Sequence, residues 1–413
     1  MKKKLTSLPV IIILLICCTL SCDLENISPD PDSSFGYEFI AMHWDEDGSE
    51  RPHFSLMNIS DGESQFTHLT DVYPHASMAS QSNFHSWKGS FHQANGILGF
   101  TLHRDLSDTY TNNFGEEGPI WTGVWMDMRD GEVHELPRLN PCTDFGYDSG
   151  CNRYSYTQIG SVRIGKSGHV FYVAMSAYHS ATWHDEPRYR LIRLDRQSGA
   201  YEVAPLISSW TLSQPEINSD RYGLARIDDK IFPSACGRYV YGRTIAWGIS
   251  GGSLIASGGI MFRYDFDNEE FTRVEAVPYR IDLNYITADD RYIIYRYDRD
   301  SYRYDTQTGQ VAKIDGHPGT WMYQVNVNNF GVINDPFPMR ILGYRNVVDD
   351  ETTDISIPRQ ARRPMFSADG KKAYFRYHNC EMNYLLRVSN LTEEATVDTV
   401  AKLPQNIRVM TIR

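Results

Sequence analysis

A strand–turn–strand phrase recurs along this chain and limits the folds that it can adopt. One copy spans Pro364–Arg376, related copies span 231–243 and 285–296, and looser copies span 160–172 and 89–100. Each copy has alternating apolar residues, a turn containing Gly or Asp, and a second alternating run. This is the pattern of a β-hairpin. The chain is therefore predicted to consist of repeated hairpins.

Two further short strands are predicted after each hairpin, for example 189–194 with 200–203, and 261–265 with 271–274. Four antiparallel strands that recur about every fifty residues are typical of a β-propeller blade. Seven such units are predicted, and six or eight blades are the alternatives. The units start near Tyr37, Lys88, Gly160, Lys230, Leu283, Trp321 and Arg363.

The first unit lacks an inner strand, because 37–43 already has the pattern of a second strand. The last segment, 407–412, is a spare strand. We predict that it supplies the missing inner strand and closes the ring, which removes exposed sheet edges.

The phrase Phe-Ser-Ala-Asp-Gly-Lys-Lys at 366–372 resembles the repeat of TolB-like propellers, in which this turn joins the two inner strands of a blade. The resemblance implies an all-β fold, a seven-bladed β-propeller closed by the C-terminal strand. Propellers of this kind include binding proteins, lyases and peptidase caps, so the resemblance alone does not decide the function.

The N-terminus has a short basic segment, an apolar run over 8–20, and a small residue before Cys22. This pattern predicts a signal peptide over 1–21. It also resembles a bacterial lipobox, which implies that Cys22 carries lipid and anchors the chain in a membrane. Residues 22–35 are then a flexible tether and 36–413 the propeller domain. A plain signal peptide that is cut elsewhere is the alternative.

The chain is acidic, with a formal charge of −12 that becomes −15 when the three lysines of 1–21 are removed. An acidic chain without a basic run is not expected to bind nucleic acid. A location outside the cytoplasm argues against NAD or ATP, and no cofactor or metal is expected. A mononuclear metal site from His179, His184 and Asp185 is an alternative, although the spacing of these residues is not diagnostic.

Four cysteines lie in the body of the chain. Cys142 and Cys151 flank a loop rich in turn formers, and in an oxidising compartment this spacing predicts a local disulfide. A metal-binding pair is the other interpretation. Cys236 and Cys380 lie in different segments and are predicted to be free thiols.

Long loops rich in histidine, arginine and aromatic residues are predicted at one face of the propeller. They join second to third strands and one blade to the next. Loops held on a rigid scaffold often carry binding groups, and arginines bind carboxylates, sulfates or phenolates through paired hydrogen bonds. Surface solvation of the histidines and pairing of the arginines with local acids are the structural alternatives. The predicted ligand-binding residues are His43, Arg104, His179, His184, Arg359, Arg362, Arg363 and His378.

An enzymatic alternative comes from 85–103, which loosely resembles propeller ulvan lyases in having two histidines across a hairpin. The resemblance implies His85 and His103 as catalytic residues, with Tyr156 as the base. The arginine expected one strand later is absent, because Tyr172–Met175 stands there. A Gly-x-Ser-x-Gly match stands at 248–252, but no helix pattern follows it. Gly251, Gly252, Gly258 and Gly259 instead predict a flexible loop.

The leader also resembles that of surface-exported lipoproteins of Bacteroidota. It implies a lipid-anchored outer-membrane protein at the cell surface. Propeller lipoproteins of that group capture glycans or ferric siderophores beside TonB-dependent transporters. We therefore expect a small-molecule or oligosaccharide ligand, and a TonB-dependent transporter as a further partner. A polysaccharide lyase acting on an acidic glycan, and a protein scaffold without a small ligand, are the alternatives.

Overall fold

A computed structural model describes part of the chain, and all structural statements concern that part. The described residues are 39–43, 53–60, 62–68, 92–94, 96–103, 109–111, 117–119, 121–127, 131–146, 156–177, 188–206, 226–250, 253–258, 260–278, 281–286, 291–298, 300–314, 321–324, 329–334, 340–346, 352–357, 361–366, 372–378, 383–389, 396–404 and 407–412. Strands and turns form these ranges and no helix occurs in them, which confirms the all-β prediction.

The strands follow in chain order. The first nine are β1 (Phe39–His43), β2 (His53–Ser60), β3 (Glu63–His68), β4 (His92–Ala94), β5 (Ile97–His103), β6 (Thr109–Thr111), β7 (Glu117–Pro119), β8 (Trp121–Asp127) and β9 (Val133–Glu135). The next nine are β10 (Tyr156–Ile164), β11 (His169–Ala177), β12 (Arg188–Asp195), β13 (Tyr201–Val203), β14 (Arg226–Pro233), β15 (Tyr239–Ser250), β16 (Ser253–Gly258), β17 (Met261–Asp265) and β18 (Glu270–Arg273).

The remaining strands complete the described part of the chain. They are β19 (Asp282–Ile286), β20 (Tyr292–Tyr297), β21 (Asp300–Asp305), β22 (Val311–Ile314), β23 (Trp321–Gln324), β24 (Asn329–Asn334), β25 (Arg340–Asn346), β26 (Thr352–Ile357), β27 (Ala361–Phe366), β28 (Lys372–His378), β29 (Asn383–Ser389), β30 (Thr396–Leu403) and β31 (Ile407–Ile412).

Consecutive strands form antiparallel sheets in the order of the chain. Three sheets contain four strands each, namely β10 to β13, β19 to β22 and β23 to β26. A fourth contains β4, β5, β8 and β9, and β6 and β7 form a separate hairpin between its second and third strands. In the sheet of β14, β15, β17 and β18, the long strand β15 also pairs with β16. The predicted pattern of a hairpin followed by two further strands is confirmed in these sheets.

The C-terminal strand closes the fold. β31 pairs antiparallel with β1, so that Phe39 lies opposite Ile412 and His43 lies opposite Ile407. It therefore supplies the inner strand of the first unit, as predicted. The larger sheet that contains it runs β27-β28-β29-β30-β3-β2-β1-β31, and its two halves meet at one parallel pair, Glu63 with Lys402.

We call the strand that begins each four-stranded unit its first strand, and in the unit with β1 this is β31. First strands of successive units lie against each other, from β4 to β10, β14, β19, β23, β27 and β31. In a β-propeller such strands surround the central channel. If the eight-stranded sheet is divided at Glu63 and Lys402, the described strands other than β6, β7 and β16 fall into seven groups of four. The number of blades stays a prediction.

The hydrophobic core lies between neighbouring sheets. One cluster joins Phe171 and Leu191 to Phe262 of the next sheet. Glycine allows close contact elsewhere, since a Cβ on Gly123 would lie 2.6 Å from Leu136 Cδ1 and 2.7 Å from Ile159 Cγ2. Tight packing of this kind fixes the sheets relative to one another.

The predicted glycine-rich loop is corrected in its described part. Gly258 lies in β16 opposite Ala246, and Gly248 to Ser250 continue β15, with Ser250 opposite Ser253. Gly251, Gly252 and Gly259 lie outside the described residues. In the described part of the chain, no helix is long and apolar enough to cross a membrane.

Candidate functional site

The candidate site is the edge where second strands end and first strands begin, which we call the loop edge. Its connections include 104–120, 136–155 and 178–187, which are longer than the opposite turns at 165–168 and 234–238. Two hairpin arms, β6–β7 and β15–β16, also leave the sheets at this edge. The opposite edge, formed by the short turns between first and second strands, is called the turn edge.

Three predicted histidines occupy equivalent positions along the backbone. His43, His103 and His378 are the last residues of β1, β5 and β28, which are the second strands of their units. Their cross-strand neighbours on the third strands are His53, Trp121 and Asn383. The topology therefore brings all three residues to the loop edge.

Tyr156, Arg362 and Arg363 begin first strands at the same edge. Tyr156 is the first residue of β10, and the two arginines are the second and third residues of β27. Because first strands run from the loop edge toward the turn edge, these residues join the three histidines at one end of the molecule.

An arginine that the sequence analysis missed lies opposite one of the predicted arginines. Arg376 of β28 is the cross-strand neighbour of Arg362. The Arg376 Nε donates to Asn383 Oδ1 at 3.1 Å, and Asn383, fully buried, donates from Nδ2 to the carbonyl of Pro404 at 2.9 Å. The register of the two strands therefore places two cationic residues side by side near the loop edge.

Residues 136–146, which we call the 136–146 loop, are the described part of the connection between β9 and β10. Hydrogen bonds hold this loop against the sheet of β10 to β13. Its backbone carbonyls accept hydrogen bonds from side chains of that sheet. The pairs are Tyr172 Oη to Pro137 at 2.9 Å, Thr157 Oγ1 to Leu139 at 2.8 Å, Ser176 Oγ to Pro141 at 2.9 Å, Arg190 Nε to Asp144 at 2.9 Å, and Arg188 Nη1 to Phe145 and Gly146, both at 2.6 Å. A loop held by so many bonds is preorganised.

Burial governs the electrostatics beneath this loop. It lowers the pKa of the Arg190 guanidinium, and the neighbouring charge of Arg188 lowers it further, whereas Asp144 opposes the shift. Burial also raises the pKa of the Tyr172 hydroxyl, which stays a neutral donor. The Asp144 carboxylate accepts the backbone N–H of Asn140 at 2.6 Å and so stiffens the turn.

Several predicted residues lie outside the described residues. They are Cys22, His85, Arg104, Cys151, His179, His184, Arg359 and Cys380. Cys142 lies in the 136–146 loop, where its backbone N–H donates to Asn140 Oδ1 at 2.9 Å. Its disulfide with Cys151 stays a prediction. Cys236 is a free thiol, as predicted.

The turn edge carries polar groups that bind one another. Arg238 donates from Nε and Nη2 to the two carboxylate oxygens of Asp265 at 2.9 and 2.7 Å. Arg193 donates from Nη2 alone to both carboxylate oxygens of Glu202, at 2.9 and 2.8 Å. Within the described ranges, no three His, Cys, Asp or Glu residues are arranged to hold a metal ion. We therefore interpret Arg238 with Asp265 and Arg193 with Glu202 as structural ion pairs.

No model of a known protein family and no curated protein matches the chain. The oligogalacturonate lyase from Vibrio parahaemolyticus resembles it with a TM-score of 0.50 at 10% identity, over 89% of this chain and 85% of that one. The fold is a β-propeller. TolB from Acinetobacter baumannii has a TM-score of 0.40 at 10% identity, over 91% and 81% of the two chains. The β-propeller domain of the Trilobed protease from Pyrococcus furiosus has a TM-score of 0.44 at 9% identity, over 76% and 82%.

Proposed function

We propose that this chain is an extracytoplasmic β-propeller, lipid-anchored through Cys22, that binds an anionic glycan at its loop edge. The observation that carries the proposal is the convergence of His43, His103 and His378 with Arg362 and Arg363 at that edge. Histidine and arginine donate hydrogen bonds to carboxylates and sulfates, and arginine does so with two parallel bonds.

The charge of the chain supports the choice of ligand. The chain is acidic overall, so a non-specific attraction to anions is not expected. Arg362 and Arg376 are nevertheless cross-strand neighbours near the loop edge, so two cationic residues lie close together where we propose that an anion binds. An acidic polysaccharide outside the cell supplies such groups at regular intervals. A ferric siderophore is the other ligand that we consider.

The leader supports a location in the cell envelope, with the outer membrane as our proposal. In that setting the propeller would present its loop edge to ligands and deliver them to a TonB-dependent transporter. The predicted tether of 22–35 would give the propeller freedom to reach a partner.

Thermal unfolding in the presence of candidate ligands tests the proposal. We expect polygalacturonate, alginate or another acidic polysaccharide to raise the Tm of the full chain in detergent, and neutral polysaccharides of similar length to leave it unchanged. The variant Arg362→Gln should weaken the effect, and the variant Arg193→Gln at the turn edge is the matched control. If only a ferric siderophore raises the Tm, the siderophore replaces the glycan as the proposed ligand. If none of these ligands raises the Tm, the proposal is refuted.

A polysaccharide lyase is a second candidate, and one observation favours it. β5 and β10 contact each other, and a Cβ on Gly99 would lie 2.8 Å from Val162 Cγ1. From that level, His103 lies four residues toward the loop edge, roughly 13 Å at ~3.3 Å per residue. Tyr156 lies six residues toward the same edge, roughly 17–20 Å when the bulge is allowed for. Both residues therefore lie toward the loop edge on adjacent sheets, at heights that differ by roughly 4–7 Å. The neighbour with the TM-score of 0.50 is also named a lyase, although that likeness concerns the fold alone.

In such a reaction, Tyr156 as the base would remove the proton at C5 of a uronate. His103 would protonate O4 as the C4–O4 bond breaks and a C4–C5 double bond forms. Ultraviolet absorbance of the unsaturated product separates the two functions. An absorbance rise that is lost in Tyr156→Phe and His103→Ala would establish the lyase. Binding without product would establish the binding protein.

A further inference from the structure

The hairpin of β20 and β21 ends at the loop edge without a long loop. Residues 298–299 join its two strands, whereas the corresponding connection in the sheet of β10 to β13 spans 178–187. The two strands stay paired to their ends, since Tyr297 lies opposite Asp300. We call residues 296–301 the hairpin tip. Its own sheet supplies no long loop to cover it, so a ligand at the loop edge can reach its side chains.

An aromatic residue is exposed at the hairpin tip. Tyr297 is 38% exposed, and its ring contacts that of Tyr302 in a T-shaped arrangement at 6.2 Å. Tyr302 in turn stacks on the fully buried Tyr295, with the ring centroids 5.5 Å apart and an angle of 15° between the planes. Packed rings thus support the ring of Tyr297. A supported ring that is open to solvent can stack on the apolar face of a sugar.

A half-buried arginine precedes this tyrosine. Within the described ranges, the guanidinium of Arg296 has neither a hydrogen-bond partner nor an ion-pair partner. The nearest acid of the hairpin tip is already paired, because the Asp300 carboxylate lies 2.7 Å from Lys313 Nζ. Arg296 therefore has its donors available for an anion.

Arginine recurs at this position of the repeat. Arg243, Arg296 and Arg376 are the fifth residues of the second strands β15, β20 and β28. Arg243 shows the direction of the side chain at this position, since its Nη1 donates to the carbonyl of Ile281, the residue before β19. It therefore reaches from its own sheet to the next one along the chain.

Tyr297 and Arg243 face the same gap, between the sheet of β14 to β18 and that of β19 to β22. Tyr295 packs in the core cluster between these sheets, and Tyr297 lies two residues on, so it points to the same side of β20. The register of β19 and β20 places Ile281 level with Tyr297. The aromatic ring and the cation that binds Ile281 therefore lie at one height.

Arg296 lies on the other side of the same sheet, because neighbouring residues of a strand point to opposite faces. Packed sheets are about 10 Å apart, so the equivalent residues Arg243 and Arg296 are separated by about that distance. A ligand that contacts both must extend across the hairpin tip. A polyuronate chain carries a carboxylate on each sugar and meets this condition, whereas a small single anion does not.

We propose that the hairpin tip is a subsite for an extended acidic sugar chain that crosses the loop edge above β20 and β21. Tyr297 stacks on one sugar ring, and Arg243 and Arg296 bind carboxylates of sugars on either side of it. This inference rests on the proposed function and deepens it, since it states the form of the ligand. It adds a subsite on a sheet that carries none of the three histidines at the loop edge.

Calorimetric titration of the full chain in detergent with hexagalacturonate tests the inference, and digalacturonate is the short reference ligand. We expect hexagalacturonate to bind more tightly than digalacturonate. Tyr297→Ala should weaken hexagalacturonate binding about three- to tenfold through loss of stacking, and Tyr297→Phe should bind as the unmodified chain does. The matched control is Tyr201→Ala, because Tyr201 is 47% exposed in the outermost strand β13 of another sheet. This control should not change the affinity.

Arg296→Gln is the second variant, and it decides the matter if Tyr297→Ala lowers the Tm and so disturbs the fold. It should weaken hexagalacturonate binding about three- to tenfold and leave the binding of the fully methyl-esterified hexamer, which has no charge, unchanged. The matched control is Arg291→Gln at the turn edge of the same hairpin, where Arg291 pairs with Asp305. This control should bind both hexamers as the unmodified chain does.

The outcomes separate the two proposals. If the unmodified chain binds hexagalacturonate and both Tyr297→Ala and Arg296→Gln bind it equally well, the subsite is refuted and the proposed function stands. Equal affinities for digalacturonate and hexagalacturonate would also refute the subsite. If the unmodified chain binds other acidic polymers but not hexagalacturonate, the subsite is refuted and the proposed function stands. If it binds no acidic glycan, the proposed function fails and the subsite fails with it.

Discussion

Removal of the C-terminal strand tests how the ring is held together. A chain that ends at Pro404 lacks β31 and leaves one edge of β1 without a partner. The lost ladder joins five pairs of residues, from Phe39 with Ile412 to His43 with Ile407. An antiparallel ladder of this length holds about five backbone hydrogen bonds, worth about 1 kcal/mol each, so the loss is about 5 kcal/mol. This loss is as large as the free energy of unfolding of the least stable typical proteins.

The assay is thermal unfolding followed by circular dichroism. For a propeller of about 380 residues, the unfolding entropy is about 0.8 kcal/mol/K, so the Tm should fall by about 6 °C. The bare edge of β1 should also promote association between chains. A synthetic peptide of 405–413 should restore the Tm, and a scrambled peptide should not. A truncated chain that is monomeric and melts within 1 °C of the full chain would refute the reasoning.

Three further predictions concern packing, pH and salt. Gly123→Val should destabilise the protein by about 1–3 kcal/mol in urea unfolding, because the new side chain would collide with Leu136 and Ile159. The hydrogen bonds from Arg238 hold the pKa of the Asp265 carboxyl below its ordinary value of 3.8. The charged form is thus favoured by folding, and its contribution is present above about pH 4 and lost as the pH falls through the lowered pKa. Asp265→Asn should therefore lower the free energy of unfolding at neutral pH by about 2 kcal/mol, a modest value because Arg238 is partly exposed to solvent. The variant's free energy of unfolding should also depend less on pH in the acid range. Finally, the affinity for an anionic glycan should fall when the salt concentration is raised from 50 to 500 mM, because salt screens the attraction between exposed charges. Equal affinity at the two salt concentrations would argue against recognition by charge.

The hairpins were predictable from sequence because each pairs neighbouring segments with a clear alternation. The starts of first strands were placed too late, at Gly160 and Lys230, whereas β10 and β14 begin at Tyr156 and Arg226. The reason is physical, since the bulges at these positions break the two-residue period on which the prediction depends.

The candidate site was predictable only in part. His103 and His378 follow apolar runs, so their position at the ends of strands could be inferred. The pair of Arg362 and Arg376 could not, because it depends on the register of two strands around a bulge. The anchoring of the 136–146 loop by Arg188 was also hidden, since it joins a side chain to backbone carbonyls more than forty residues away.

Hydrogen exchange with and without a saturating acidic oligosaccharide tests the central claim, that the ligand binds at the loop edge. We expect protection in peptides that contain the ends of β1, β5 and β28 and the first strands β10 and β27. Protection confined to the turns at 165–168 and 234–238, or to the outer strands, would contradict the account.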